Sequence, residues 1–222
     1  MIYKGFGMIA DELPFYKIGK AEHYTHEDGI KVDNVLNDLG YRSSTVYPCD
    51  EYFLAVGCSN TFGMFLNEET RYSNIIESET SIPVINIGIR GSSAHMNMLN
   101  LVKLKYSGYP MPKAIFCQWP EPERFTLPLK QEEEHLITIT PHKKEYMQLY
   151  KHNAIRYQSK IAYDTLHAIY KDQKIIEFSM SEPSYSKFYN VKHIRLCDFA
   201  KDNLHAGPDT HKDVASYIMK EI

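Results

Sequence analysis

A serine and a carboxylate–histidine pair, far apart in the chain, have the residue types needed for nucleophilic catalysis. Ser59 lies in Ala55-Val56-Gly57-Cys58-Ser59-Asn60-Thr61-Phe62-Gly63, where an apolar run ends in small residues and a helix begins. A serine so placed stands at the tip of a strand. Its backbone N–H can face a developing oxyanion, and the helix dipole favours negative charge there. The same stretch also reads as a plain strand–turn–helix with a capping serine. Asp202 and His205 are three residues apart in the stretch before the last helix. A loop of that reach lets the carboxylate accept a hydrogen bond from one imidazole nitrogen, which leaves the other to take a proton from a hydroxyl. A solvated loop pair is the plainer account of that spacing taken alone. Cys58 is a second candidate nucleophile, provided a cation such as His205 helps its thiol to ionise.

The elements that must position these groups alternate along the chain. Apolar runs at 52–56, 83–87, 114–117 and 174–178 read as strands, with a fifth at 191–196. Helical spacing marks 67–79 (capped by Asn67 or Thr61), 92–106, 144–170 and 208–222, the last with Pro208 in its first turn. Ser92 and Ser93 are read as caps and His95 as a polar surface residue. Near-continuous apolar strands between helices predict an α/β fold with a parallel sheet covered on both faces. Function then gathers at the C-terminal strand ends. These are residues 57–60, 86–91, 117–124 and the loop after Leu196. Residues 1–50 read as an irregular N-terminal extension packed on a domain spanning 51–222.

Three stretches in order resemble the blocks of the SGNH (GDSL-like) hydrolases. Gly57-Cys58-Ser59-Asn60-Thr61-Phe62-Gly63 is similar to their GDSxTxG block, Asn86-Ile87-Gly88-Ile89-Arg90-Gly91 to NxGxxG, and Asp202-Asn203-Leu204-His205-Ala206-Gly207 to DxxHPG. The resemblance implies a three-layer, flavodoxin-like α/β/α sandwich of about five strands and hydrolysis of ester or acyl groups. It implies Ser59 as nucleophile, His205 as base and Asp202 as the group orienting it. Backbone N–H groups of Ser59 and Gly91 would bind the oxyanion. The chain departs from the pattern at Cys58, where the family has aspartate, and at Ala206, where it has proline. The larger departure is the third block, GxND in the family. Here the chain reads Phe116-Cys117-Gln118-Trp119-Pro120-Glu121-Pro122-Glu123-Arg124, with no asparagine. Gln118 could supply an amide donor and Arg124 positive charge. Trp119 is either a wall of an acyl or sugar pocket or a packing residue.

Composition bounds the rest. The 222 residues carry a formal charge of −3 with no large basic block, which gives nucleic-acid binding no support. Of the four cysteines, Cys49, Cys58, Cys117 and Cys197, no pair has CxxC spacing; buried free thiols are expected, in a reducing compartment. No cofactor or metal site is read. The N-terminus lacks a signal peptide and no stretch has the length of a membrane span, so a soluble cytoplasmic protein without a membrane partner is expected. The sequence carries no signal of oligomeric state. The expected function is a serine esterase acting on a small acyl or O-acetyl ester, with a small molecule or a carbohydrate as substrate. An inactive binding or structural protein on the same fold, and an acyltransferase, remain as alternatives.

Overall fold

The computed structural model describes residues 21–25, 31–35, 41–43, 50–106, 108–128, 136–139, 154–180 and 182–222. Strands β1 (Ala21–Thr25) and β2 (Lys31–Val35) pair antiparallel. The main sheet is built from β3 (Phe53–Val56), β4 (Val84–Asn86), β5 (Ala114–Gln118), β8 (Lys174–Ser179) and β9 (Lys192–His193). Its spatial order is β4-β3-β5-β8-β9, and every pairing is parallel. A further hairpin, β6 (Phe125–Pro128) with β7 (Leu136–Ile139), follows β5. The helices are α1 (Ser59–Phe62), α2 (Tyr72–Thr80), α3 (Ala94–Tyr106), α4 (Ala154–Ile169), α5 (Pro183–Tyr189) and α6 (Pro208–Glu221).

Alternation along the strands sorts the apolar side chains into two layers. Leu54, Val56, Ile115 and Cys117 face one side, where Met96, Leu101 and Leu104 of α3 and Ala162 and Leu166 of α4 cover them. Phe53, Ala55, Phe116 and Phe178 face the other, against Tyr72 and Ile76 of α2 and Val214, Ala215 and Ile218 of α6. Both faces of the sheet are therefore dry, which is why its strands read as continuous apolar runs. In this strand order the chain reverses direction across the sheet between β3 and β5, so their C-terminal ends flank a crevice. Ser59 and residues 118–124 follow those two ends.

Several expectations need correction. The 67–79 segment divides into a 3-10 turn, Glu68–Thr70, and α2, with Arg71 between them. Neither Asn67 nor Thr61 caps α2; the Thr61 hydroxyl is spent on Gln118 instead. The fifth strand is two residues long. Helix α5 and both antiparallel hairpins were not anticipated. Residues 144–153 of the long expected helix lie outside the described residues, as does most of the segment 1–50. Within that segment, residues 41–43 pack closely. Tyr41 joins the core, and the guanidinium of Arg42 donates to the carbonyls of Gly63 and Leu66. The described cysteines are free; Cys58 and Cys117 are buried as expected, but Cys197 is exposed. Among the described residues no helix is long and apolar enough to cross a membrane.

Candidate active site

The turn after β3 is held by contacts that leave little room for other residues. A Cβ on Gly57 would lie 2.2 Å from Thr61 Oγ1 and 2.8 Å from Gln118, so glycine is required on space alone. Ser59 then opens α1, a single turn that Gly63 ends with φ +76°. The side chain of Gln118, at the end of β5, ties this turn to the sheet. Its Oε1 accepts from Cys58 N–H (3.2 Å) and Thr61 Oγ1–H (2.8 Å), and its Nε2 meets Cys58 Sγ at 3.2 Å. Tyr72 extends the network by donating its hydroxyl to Thr61 Oγ1 at 3.2 Å. From the other side, Asn86 Nδ2 donates to Thr61 O at 2.6 Å. A Cβ on Gly88 would sit 2.6 Å from Phe62 N, so the second block packs directly on α1. Gly91 lies beyond, at φ +70°, with open space where a Cβ would be. Ser59 itself is 8% exposed, and its Oγ lies 4.0 Å from Cys58 Sγ.

The loop carrying Asp202 and His205 is a closed structure of its own. Phe199 and Ala206 bridge antiparallel, Ala200 N donates to His205 O at 2.8 Å, and Asn203 turns the chain at φ +56°. Inside it, His205 Nδ1 lies 2.5 Å from Asp202 Oδ2. The other carboxylate oxygen accepts from Leu204 N and His205 N, both at 3.1 Å. The Asp202 side chain is 5% exposed and that of His205 18%. Burial opposes ionisation of Asp202, but the hydrogen bonds from His205 and the two backbone N–H groups outweigh it and hold its pKa down. Asp198 anchors the end of the loop: it accepts from Asp209 N (2.9 Å), Thr210 N (2.8 Å) and Thr210 Oγ1 (2.7 Å), capping α6, whose N-cap residue Gly207 has no side chain to do so.

The two parts meet. Ala206 N donates to Asn60 Oδ1 at 3.1 Å, and the His205 ring lies 6.1 Å from that of Phe65. Serine turn and histidine loop thus share one edge of the sheet. Ser59 Oγ makes no hydrogen bond to the imidazole of His205; bonds of this kind are often long or poorly aligned outside the substrate complex. Gln118 takes a role other than the expected oxyanion donor, and Trp119 takes the second of its two expected roles. Gln118 is fully buried and its amide is engaged with the Ser59 turn. Trp119 has no exposed surface; it stacks on Tyr189 at 4.9 Å and donates to Glu177 Oε1 at 2.7 Å, so it is a packing residue. Arg124 is paired with Glu121. Ser93 does cap α3, accepting from Met96 N at 3.1 Å, while His95 is half-buried rather than on the surface, and burial lowers its pKa.

Sequence reasoning missed Asn60, Thr61 and Tyr72 as parts of the site. A polar pair directly after the serine was the available signal for the first two; Tyr72 gave none. Two clefts lie among the loops at this end of the sheet, and neither is lined by Ser59 or His205. One, of about 480 Å³, is lined by Glu121, Met180, Glu182, Pro183, Tyr185, His193, Arg195 and Leu196. The other, of about 430 Å³, runs between Phe65 to Thr70 and the 199–203 loop. Among the described residues no group of three His, Cys, Asp or Glu side chains is placed to hold a metal ion.

This arrangement of layers and strand order is the SGNH-hydrolase fold. It is shared with an acetyl xylan esterase from the rumen bacterium Butyrivibrio proteoclasticus at TM-score 0.50 and 12% identity, over 90% of this chain and 71% of that one. Other structural neighbours include a lipolytic G-D-S-L family protein from Veillonella parvula (TM-score 0.46, 13% identity, 77% of this chain and 97% of that one). Another is a family two carbohydrate esterase from Clostridium thermocellum (TM-score 0.49, 14% identity, 81% and 65%). No family model and no curated protein sequence matches the chain.

Proposed function

We propose that the protein is a serine esterase that cleaves a small acyl or O-acetyl ester through Ser59, His205 and Asp202. The observation that carries this reading is the seating of the Asp202–His205 loop on the serine turn, through the Ala206–Asn60 hydrogen bond. Ser59 Oγ attacks the ester carbonyl while His205 Nε2 takes its proton. Asp202 holds the Nδ1–H and stabilises the imidazolium as it forms. The tetrahedral oxyanion is met by the backbone N–H groups of Ser59 and Gly91. His205 returns the proton to the leaving alkoxide, and an acyl-enzyme remains. Water, deprotonated by His205, then releases the acid.

A carbohydrate O-acetyl ester is the substrate class this reading takes. In support, the cleft lined by Glu121, Glu182, Tyr185, His193 and Arg195, at the same C-terminal end of the sheet though not lined by Ser59 or His205, offers hydroxyl-binding groups. An acyltransferase would use the same intermediate with a sugar hydroxyl in place of water. A binding protein on the same fold is the second reading; the open contact between Ser59 Oγ and the imidazole favours it. The free thiols Cys58, Cys117 and Cys197 support a reducing, cytoplasmic setting.

Steady-state turnover of 4-nitrophenyl acetate and of acetylated xylo-oligosaccharides by wild type, Ser59→Ala and His205→Ala tests the proposal. Turnover that both variants abolish is the expected result. Absence of turnover on every ester, or turnover unaffected by Ser59→Ala, refutes it.

A further inference from the structure

Arg124 lies in the turn that follows β5, on the same sheet edge as Ser59. The parallel register, with Val56 opposite Cys117, sets the residues after β5 beside those after β3. The turn is fixed from several sides. Arg124 N donates to Glu121 O at 3.1 Å, Ser159 Oγ of α4 donates to Pro122 O at 2.9 Å, and Arg156 Nε meets Glu123 Oε1 at 3.0 Å. The guanidinium is fixed as well. Its Nε and Nη2 donate to the two carboxylate oxygens of Glu121, both at 3.1 Å, in a pair whose side chains are 15% and 18% exposed. This fork uses two of the three nitrogens. The third, Nη1, is buried and meets no oxygen or nitrogen acceptor among the described residues.

A buried N–H donor on a charged group is rarely left without an acceptor. Cys58, the neighbour of Ser59, lies within hydrogen-bonding as well as electrostatic reach of the guanidinium, and with Glu121 it keeps the group charged against the cost of burial. The side-chain amide at the end of β5, Gln118, is committed to Cys58 and Thr61. A fixed, positively charged donor whose remaining N–H groups meet only the weakly accepting Cys58 thiol, beside the nucleophile turn, meets the requirement for stabilising an oxyanion.

The geometry points to Arg124 as the side-chain donor to the oxyanion formed at Ser59, with Glu121 as the positioning residue that aims it. This rests on the Ser59 reading above and adds a charged group to its two backbone donors. A full positive charge acts on the negative charge that develops in the transition state more than on the neutral ester carbonyl, so its loss falls on kcat rather than KM.

The test uses the full chain as wild type, Arg124→Ala, Glu121→Gln and Ser59→Ala. It reads 4-nitrophenyl acetate turnover with and without added methylguanidinium, and fluorophosphonate labelling. For Arg124→Ala, kcat should fall by about 10²–10³-fold with KM within about threefold. Methylguanidinium should restore at least part of kcat, an outcome that a purely structural role would not give. Glu121→Gln, which keeps Arg124 but breaks the fork, should lower kcat by roughly tenfold at similar KM. Wild type labelled at Ser59 while Arg124→Ala retains kcat within about fivefold overturns the assignment of Arg124 alone. A loss of kcat without rescue does the same. If Arg124→Ala fails to fold, Glu121→Gln decides, and an unchanged kcat overturns the assignment. Wild type without Ser59-dependent labelling overturns the Ser59 reading and Arg124's role with it.

Discussion

Replacing Gln118 by leucine should destabilise the protein far more than its volume suggests. The two side chains are similar in size and the site is fully buried, so packing changes little. What changes is the hydrogen bonding. The carbonyl oxygen of Gln118 is the acceptor for Cys58 N–H at 3.2 Å and for the Thr61 hydroxyl at 2.8 Å, and both donors are buried. Each orphaned donor costs about 1–3 kcal/mol, and the Thr61 hydroxyl can relieve part of its share by rotating. A loss of about 2–5 kcal/mol follows, or roughly 4–20 °C in Tm for a chain of this size. Urea unfolding at neutral pH measures it, with the slope checked for constancy. Adding Thr61→Val removes one orphan, so the double variant should recover about 1 kcal/mol relative to simple additivity. A Gln118→Leu cost below about 1 kcal/mol, or strictly additive losses, would refute the role of Gln118 in tying the serine turn to the sheet.

Further outcomes can be checked with single variants. Asp202→Asn keeps the shape of the loop but loses the carboxylate on His205 Nδ1, and kcat should drop by about 10³–10⁴-fold with little change in KM. His211 is buried, accepts from Tyr72 N at 3.1 Å, and burial together with Arg71 pushes its pKa down to about 3. The folded state therefore keeps it neutral while the unfolded chain protonates it. The stability it contributes is whole above pH ~6.5 and declines by up to about 1.4 kcal/mol per pH unit as pH falls toward 3. In His211→Asn, that part of the slope of stability against pH should vanish between about pH 6 and 4, as read by urea midpoints. Gly88→Ala drives a Cβ to 2.6 Å from Phe62 N, whereas at Gly91 the space is open and only φ +70° opposes the change. Thermal denaturation should show a loss of about 1–3 kcal/mol for the first and roughly 1 kcal/mol for the second.

The four longer strands of the sheet were legible because both their faces are buried, which turns them into continuous apolar runs. Helix α5 was not. Its sequence, Pro-Ser-Tyr-Ser-Lys-Phe-Tyr, sets Tyr185, Phe188 and Tyr189 at helical spacing for little more than one turn, too short a stripe to read, and only Pro183 in its first turn marks its start. The hairpin β6–β7 escaped because its strands are four residues long and Pro128 stands in one of them. At the site, the serine and the Asp–His pair were proposed from the resemblance of three ordered blocks, since local spacing alone left plainer accounts open. The hydrogen bonds that Gln118 makes across 57 and 60 residues could not be read, since no periodicity records them. The same holds for the pairing of Asn60 with Ala206, which lies 146 residues away. Glu121 and Arg124, three residues apart, have a spacing that suggests an ion pair, but burial of Nη1 is a property of the fold alone.

The most direct measurement is mass-spectrometric mapping of the residue that a fluorophosphonate modifies at neutral pH. One adduct per chain on the peptide containing Ser59 is expected, absent in Ser59→Ala and slowed in His205→Ala. An adduct carried by Cys58 or by any other residue, or one that forms at the same rate without the imidazole of His205, would contradict the proposed relay.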